Sequence, residues 1–204
     1  MPLRVLALNC SLKPSVVPSS TEKLLSELLA AFGEYDAEGE IIRVVDFNVK
    51  PGVSADEGEG DDWPGLRQRV LACDILVVGS PIWLGQPSSI AKRVLERMDA
   101  FLGERDEMQR MPTYGKVALA AVVGNEDGAH HVAAELCEAL AEVGFTIPTG
   151  AVTYWVGEAM GSTNYIDLAK PPQEVAEWTP LLAVNAAHLA KLLKRSNYPG
   201  RKGD

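Results

Sequence analysis

A loop rich in glycine and proline follows a buried apolar run and has residue types that could hold a planar ring. Residues 75–78 are apolar and predict a strand of a parallel sheet, and a helix is predicted to open at Pro87. Between them lies the loop Gly79-Ser80-Pro81-Ile82-Trp83-Leu84-Gly85. Trp83 offers a flat surface, and Gly85 would let a ligand press against the main chain. The alternative is a plain turn around a core tryptophan, although the loop is long for one.

Hydroxyl side chains after the first predicted strand could bind an anion. Ser11, Ser19, Ser20 and Thr21 lie between that strand and the first turn of a predicted helix, and Lys13 could add a positive charge. The helix would contribute unpaired amides and the positive end of its dipole. Serines are also common in caps and turns, so this segment alone is compatible with either role.

A third polar loop follows the fourth predicted strand. Its sequence is Gly124-Asn125-Glu126-Asp127-Gly128, and its polar groups could contact the hydrogen-bonding edge of a heterocycle. Taken alone, it fits a polar turn better. In a parallel sheet, however, the loops after strands one, three and four project at the same end, where open α/β sheets bind ligands.

Other kinds of chemistry are less well supported. Glu126, Asp127, His130 and His131 suggest a metal site, but adjacent histidines at the start of a helix point about 100° apart and make poor joint ligands. No metal is therefore predicted. The sequence contains neither GxGxxG nor GxxxxGK[ST], and neither GxSxG nor CxxC. Their absence disfavours a dinucleotide dehydrogenase, a phosphoryl-transfer enzyme, a serine hydrolase of the elbow type and a dithiol redox site.

Strand-like and helix-like segments alternate along the chain, which predicts a parallel sheet with helices on both faces. The predicted strands are residues 3–8, 40–47, 75–78, 116–123 and 146–155. The predicted helices begin at a Ser19–Glu22 capping box and end at Gly33, then cover 63–72, the segment from Pro87 to about 102, 132–140 and 181–193. Residues 50–62 are predicted as an exposed acidic loop, and 156–180 as a long loop with short helical pieces.

Composition limits the partners and the compartment. The 204 residues suit one domain, 1–204, with a flexible tail from about 195. The net charge of −9 disfavours nucleic acid and anionic lipid as partners. The longest apolar run is far too short to cross a membrane, and no secretion signal opens the chain, so a cytoplasmic protein is expected. Cys10, Cys73 and Cys137 are odd in number, which argues against a disulfide framework.

Taken together, the three loops resemble those of the flavodoxin-like FMN-binding family, specifically its NAD(P)H-dependent FMN or quinone reductase branch. The resemblance rests on Asn9-Cys10-Ser11-Leu12-Lys13 with Ser19-Ser20-Thr21, on the loops 79–85 and 124–128, and on Tyr154-Trp155-Val156-Gly157-Glu158. It covers the chain from residue 3 to about 193. It implies a doubly wound five-stranded sheet ordered 2-1-3-4-5 with FMN beside strands one and three, an arrangement for which flavodoxin is a known example.

The resemblance also implies which residues bind the cofactor. The phosphate would lie on Ser11, Ser19, Ser20 and Thr21, with Lys13 nearby. The flavin ring would lie against Pro81, Ile82, Trp83, Leu84 and Gly85, and Gly124, Asn125, Glu126, Asp127 and Gly128 would face its other edge. Tyr154 and Trp155 would line a substrate pocket, although they also fit packing aromatics at the rim. The loop from Ser11 to Thr21 is longer than the TxTGxT loop of small flavodoxins.

The function implied is a flavin reductase. NAD(P)H would be the transient electron donor, and a quinone, a flavin or a similar aromatic molecule the acceptor. No side chain is needed as acid or base, so no catalytic residue is predicted. A non-enzymatic electron carrier that docks to a partner reductase is the alternative, and a relative that has lost FMN is a third. A homodimer or tetramer is expected from the resemblance alone.

Overall fold

Five parallel strands form the central sheet of the computed structural model, which describes residues 2–202. The strands are β1 (Leu3–Asn9), β2 (Ala37–Arg43), β3 (Ile75–Trp83), β5 (Val117–Gly124) and β6 (Val152–Val156), in the order β2-β1-β3-β5-β6. A two-residue strand, β4 (Gln86–Pro87), pairs antiparallel with the end of β3. Leaving β4 aside, this is the predicted order 2-1-3-4-5, and the predicted α/β class is confirmed.

Five α-helices cover the two faces of the sheet. They are α1 (Ser20–Phe32), α2 (Trp63–Ala72), α3 (Ser89–Met98), α4 (Ala129–Glu142) and α5 (Gln173–Arg195). Side chains alternate across each strand, so one face packs against α1 and α5 and the other against α2, α3 and α4. In β3, for example, Ile75 and Val77 belong to the first core, and Leu76 and Val78 to the second. Both faces are buried, as in other parallel sheets.

Three predicted strands differ from the observed ones by more than one residue at an end. The second is Ala37–Arg43 rather than 40–47, because its register starts where Leu3 lies opposite Ala37, and 44–46 form a 3₁₀ turn. The third continues to Trp83, because Ser80 and Pro81 still pair with β5. The last contains only Val152–Val156, since Gly150 turns the chain with φ +68° and Thr146 makes a single bridge to Val117.

The helix bounds and caps agree with the prediction where they depend on neighbouring residues in the sequence. The observed α2 has the predicted bounds. In α1 the Ser19 hydroxyl accepts the Glu22 N–H as predicted, while the Glu22 carboxylate pairs with Arg43 instead of completing the box. The helix predicted from Pro87 begins at Ser89, because Pro87 belongs to β4 and Ser88 is the N-cap.

The last helix, Gln173–Arg195, is longer than the predicted 181–193, and Pro180 lies in its interior rather than in the predicted loop 156–180. Beyond it, Tyr198 contacts Thr146 and the Arg201 N–H donates to the Met108 carbonyl. The chain is therefore tied to the body through residue 201, where a flexible tail was predicted from about 195. Residues 203 and 204 of that tail lie outside the described part.

Among residues 2–202, no helix combines the length and the apolar character needed to cross a membrane.

Candidate functional site

The ends of β1, β3, β5 and β6 meet at one open cleft. Most of its lining was predicted from the sequence: Ser11, Lys13, Ser19, Ser20, Thr21, Pro81, Ile82, Trp83, Gly124, Asn125 and Trp155. The remaining lining residues were not predicted: Leu12, Val123, Asn164 and Tyr165. The sheet therefore brings the hydroxyl segment, the tryptophan loop and part of the third loop together.

One end of the cleft is polar and lies at the N-terminus of α1. Ser19 is the N-cap, and its hydroxyl accepts the Glu22 N–H at 3.3 Å. Upstream, the Ser11 N–H donates to Asn9 Oδ1 at 3.0 Å, and the Ser11 hydroxyl accepts the Lys13 N–H at 3.1 Å. Ser11 and Ser19 are buried, so their positions are fixed by the fold. Amides and hydroxyls that converge at a helix N-terminus form an anion site.

The unpredicted side of the cleft comes from the segment 164–168. The Ser20 hydroxyl accepts the Ile166 N–H at 3.2 Å, and Lys23 Nζ lies 2.6 Å from the Leu168 carbonyl oxygen. Tyr165 is buried, and its ring centroid lies 5.4 Å from that of Trp155. Burial and a hydrogen bond to Glu27 raise the pKa of Tyr165 above its usual 10, so the phenol is neutral at pH 7. In the sequence, the only indication that this segment contributes to a site was its position in the long predicted loop 156–180, because long loops are often functional.

The other end of the cleft is aromatic and rigid. Trp83 is 52% exposed, and its backbone pairs with Gln86 in a tight hairpin that closes at Leu84 and Gly85. Ser88 fastens this hairpin to β1, since its hydroxyl donates to the Cys10 carbonyl at 2.6 Å and its N–H donates to the Ser80 hydroxyl at 3.0 Å. A large flat side chain is thereby held at the cleft without being buried in the core.

Several predicted residues lie beside the cleft rather than in its lining: Leu84, Gly85, Glu126, Asp127 and Gly128. They form the contact between the tryptophan hairpin and the loop after β5. The Leu84 N–H donates to Glu126 Oε1 at 3.1 Å, and a Cβ at Gly128 would lie 2.7 Å from the Gly85 Cα. These residues hold the two loops against each other.

Asn125 and Tyr154 are already engaged with neighbours. Asn125 Nδ2 donates to the Gly161 carbonyl at 2.7 Å, which fastens the chain after β6 to the loop after β5. Tyr154 lines a separate surface groove with Trp155 and Trp178, and its hydroxyl lies 3.1 Å from His130 Nε2. Trp155 therefore lies between the cleft and this groove, and Tyr154 belongs to the groove alone.

The titratable groups in the cleft lining are Lys13 and Tyr165, and the lining contains no carboxylate or imidazole. His131 lies outside it and pairs with Glu135 at 2.8 Å. Within the described part of the chain, no three histidine, cysteine or carboxylate side chains are placed to hold a metal ion.

Comparison with known proteins places the chain in a family. The model of the NADPH-dependent FMN reductases matches residues 3–160. The 8-demethyl-8-aminoriboflavin-5′-phosphate synthase of Streptomyces davaonensis is 31% identical over 209 residues, which cover 97% of this chain and 81% of the synthase. The crystal structure of RosB with a bound intermediate, 8-demethyl-8-formylriboflavin-5′-phosphate, superposes with a TM-score of 0.87 at 30% identity and covers 97% of this chain and 82% of RosB.

A further relative is much longer than this chain. The divalent metal cation transporter MntH of Mycobacterium bovis is 35% identical over 199 residues, which are 94% of this chain but only 29% of the transporter. The similarity therefore concerns less than a third of that protein.

The cleft fits FMN in its own right. Its polar end at α1 suits a phosphate, and its aromatic end at Trp83 and Trp155 suits a flavin ring. The two ends are parts of one cavity, as a molecule with a phosphate tail and a planar head requires. Together with the family match, this identifies the chain as a member of the NADPH-dependent FMN reductase family, a flavin-dependent oxidoreductase with FMN as its cofactor.

Proposed function

We propose that the protein passes electrons from NAD(P)H through bound FMN to a quinone, a flavin or a similar aromatic acceptor. The observation that carries this proposal is an open cleft in which amides and hydroxyls at the N-terminus of α1 form one end and the aromatic side chains of Trp83 and Trp155 the other. FMN, when bound, supplies the two-electron redox chemistry. The family assignment favours an enzyme over a non-enzymatic carrier.

The residues of the cleft have binding and positioning roles in this proposal. Ser11, Ser19, Ser20 and Thr21 would hold the phosphate, and Pro81, Ile82 and Trp83 would hold the ring. Backbone amides of the loops after β3 and β5 would stabilise negative charge that develops on the ring.

No acid or base is assigned to a side chain. The lining offers only Lys13, which lies at the phosphate end, and Tyr165, whose raised pKa keeps it neutral. Redox chemistry on a bound cofactor needs no side-chain proton donor at the ring, so a lining with few titratable groups is compatible with this reaction class.

The test is oxidation of NADH and NADPH by FMN-loaded protein with a quinone, free FMN or molecular oxygen as acceptor. We expect turnover with at least one donor and one acceptor. Replacement of Trp83 by alanine should weaken FMN binding by roughly tenfold, since one aromatic contact with the ring is lost.

Trp178→Ala is the matched control, because Trp178 is also about half exposed but lies in the separate groove. It should leave FMN affinity unchanged. Protein that binds FMN yet oxidises neither nucleotide with any acceptor would contradict the proposed reaction.

A second candidate function is chemical modification of FMN itself, favoured by the two flavin-related proteins that are 30% and 31% identical to this chain. One of them is named for the synthesis of an aminoriboflavin phosphate, and the other was solved with a formylriboflavin phosphate bound. The two functions are separated by mass spectrometry of the flavin recovered after incubation with the protein, with molecular oxygen as the oxidant and an amino acid as the amino donor, because an aminoflavin can form only from a nitrogen donor. Unchanged FMN supports the reductase, and a flavin altered in mass supports the modifying enzyme.

A further inference from the structure

A buried arginine lies beneath the loop that leads from β1 to α1. Arg43 is the last residue of β2, and its Cα partner across the sheet is Asn9, the last residue of β1. Its side chain is only 3% exposed. A guanidinium is rarely buried without a structural reason, since it must be paired and hydrogen-bonded to offset lost hydration.

The guanidinium is enclosed by the loop itself. Arg43 NH1 lies 2.5 Å from the Pro14 carbonyl oxygen, 2.6 Å from that of Val17 and 3.3 Å from that of Lys13. NH2 pairs with the Glu22 carboxylate in the first turn of α1. One side chain thus joins both ends of the segment between Ser11 and the helix.

The loop has little else to hold it. Residues 12–18 are all exposed and form no regular structure. The Val17 N–H donates to the Pro14 carbonyl at 2.9 Å, and Ser15 is bonded to Asp46 at the outer side. A loop with so few buried contacts has a large conformational entropy to lose, and the charged hydrogen bonds from the buried Arg43 side chain offset part of that cost.

We propose that Arg43 is a positioning residue for the cofactor phosphate. It acts through the loop carbonyls and through Glu22, and it keeps Ser11 and the α1 N-terminus in the spacing that the phosphate requires. The proposal rests on the placement of FMN in the cleft. It adds that affinity for the phosphate, rather than for the ring, depends on a side chain outside the cleft lining.

The test compares the dissociation constants of FMN and riboflavin, which differ only by the phosphate, by fluorescence titration. The ratio of the two constants measures what the phosphate site contributes. Arg43→Lys keeps the positive charge but cannot reach three carbonyls and Glu22 together. We expect it to weaken FMN binding by about tenfold or more and to leave riboflavin binding unchanged, because hydrogen bonds to charged groups are the strong ones.

A second variant tests whether the loss of affinity arises only because the Glu22 carboxylate is left without its partner. Arg43→Gln combined with Glu22→Gln removes both charges and should show the same selective loss of FMN affinity. Arg69→Lys is the matched control, since Arg69 also pairs with a glutamate, Glu40, but on the exposed surface. It should change neither dissociation constant.

The binding constants distinguish an error in the phosphate site from an error in the role assigned to Arg43. If the unaltered protein binds FMN no more tightly than riboflavin, the phosphate site is wrong, and the role of Arg43 falls with it. If the unaltered protein prefers FMN and both Arg43 variants keep the same preference, the site stands and the positioning role is overturned. Equal weakening of both ligands would also overturn it, because that result indicates only a general structural role.

Discussion

At the scale of single residues, two glycines lie backbone against backbone beside the cleft. Gly128 has φ +118° and Gly85 has φ +73°, both in the left-handed region that favours glycine. A Cβ at Gly128 would lie 2.7 Å from the Gly85 Cα and 2.9 Å from its carbonyl oxygen. Because these are backbone atoms, the two loops cannot yield as a flexible side chain would.

Gly128→Ala should therefore force the two loops apart. We expect a loss of roughly 1–3 kcal/mol in the free energy of unfolding, from the strained backbone alone, and weaker FMN binding. The measurements are urea unfolding and FMN titration. Gly33→Ala provides the control, since Gly33 has φ −56° and a Cβ there meets nothing within 4 Å. Equal FMN affinities for the two variants would show that the loop contact does not shape the cofactor site.

At the scale of elements, a buried ion pair organises the acidic loop 50–62. Arg97 on α3 and Asp61 are 2.7 Å apart, and both side chains are fully buried. Arg97 also donates to the Lys50 and Ser54 carbonyls, at 2.9 and 3.0 Å. The loop is exposed along much of its length, as predicted, but Lys50, Ser54 and Asp61 bind it to Arg97 on α3.

The ion pair makes stability depend on acidity. Burial alone would raise the pKa of Asp61, but hydrogen bonds from Arg97 and from the amides of Glu57, Trp63 and Lys50 outweigh it and lower the pKa below 3.8. The unfolded chain, whose aspartates titrate near 3.9, then binds more protons than the folded one in acid. The contribution of Asp61 is therefore complete above about pH 4 and is lost as the pH falls below that.

Asp61→Asn should lower the free energy of unfolding at pH 7 by about 3–5 kcal/mol, because it leaves Arg97 buried without its counter-charge. The difference from the unaltered protein should shrink as the pH is lowered below about 4. Urea unfolding at a series of pH values measures both effects. Asp56→Asn, in the exposed part of the same loop, should show neither effect. A difference that stays constant down to pH 3 would contradict the assignment.

Some helices and strands could be predicted from the sequence, and others could not. The bounds of α2 and the Ser19 cap follow from local sequence, so short-range signals were enough. The second strand begins and ends earlier than predicted because Val44 is a buried core residue of a 3₁₀ turn, outside any strand. Apolar runs report burial, and only the pairing of Leu3 with Ala37 fixes where the strand begins.

The cleft was predicted where a motif and the strand ends coincide, as at Ser11 and Trp83. Tyr165 and Arg43 were missed because each reaches its place through contacts distant in sequence. Tyr165 packs against Trp155 and α1, and Arg43 crosses from β2 to a loop some thirty residues earlier. No local pattern marks either residue.

At the scale of the whole molecule, an apolar groove remains beside the edge strand β6. Tyr154, Trp178 and Leu181 line it and are each 40% or more exposed. Most apolar residues of α5, such as Leu182 and Ala186, are buried in the core instead. The helix α5 therefore presents only its first turns to this groove, and the cleft lies on the other side of Trp155.

That the protein forms a homodimer or tetramer remains a prediction, and we expect the subunit interface to lie at this groove. Contiguous exposed apolar surface with polar residues at its rim is a feature of interaction sites. We expect light scattering to give a mass of at least two chains and Leu181→Glu to reduce it to one, since a carboxylate would be buried without a partner.

Leu192→Glu is the matched control, because Leu192 has nearly the same exposure on the same helix but lies three turns away, outside the groove. A single-chain mass for the unaltered protein would contradict the prediction. Dissociation by Leu192→Glu but not by Leu181→Glu would place the interface further along α5, away from Trp155 and the cofactor cleft.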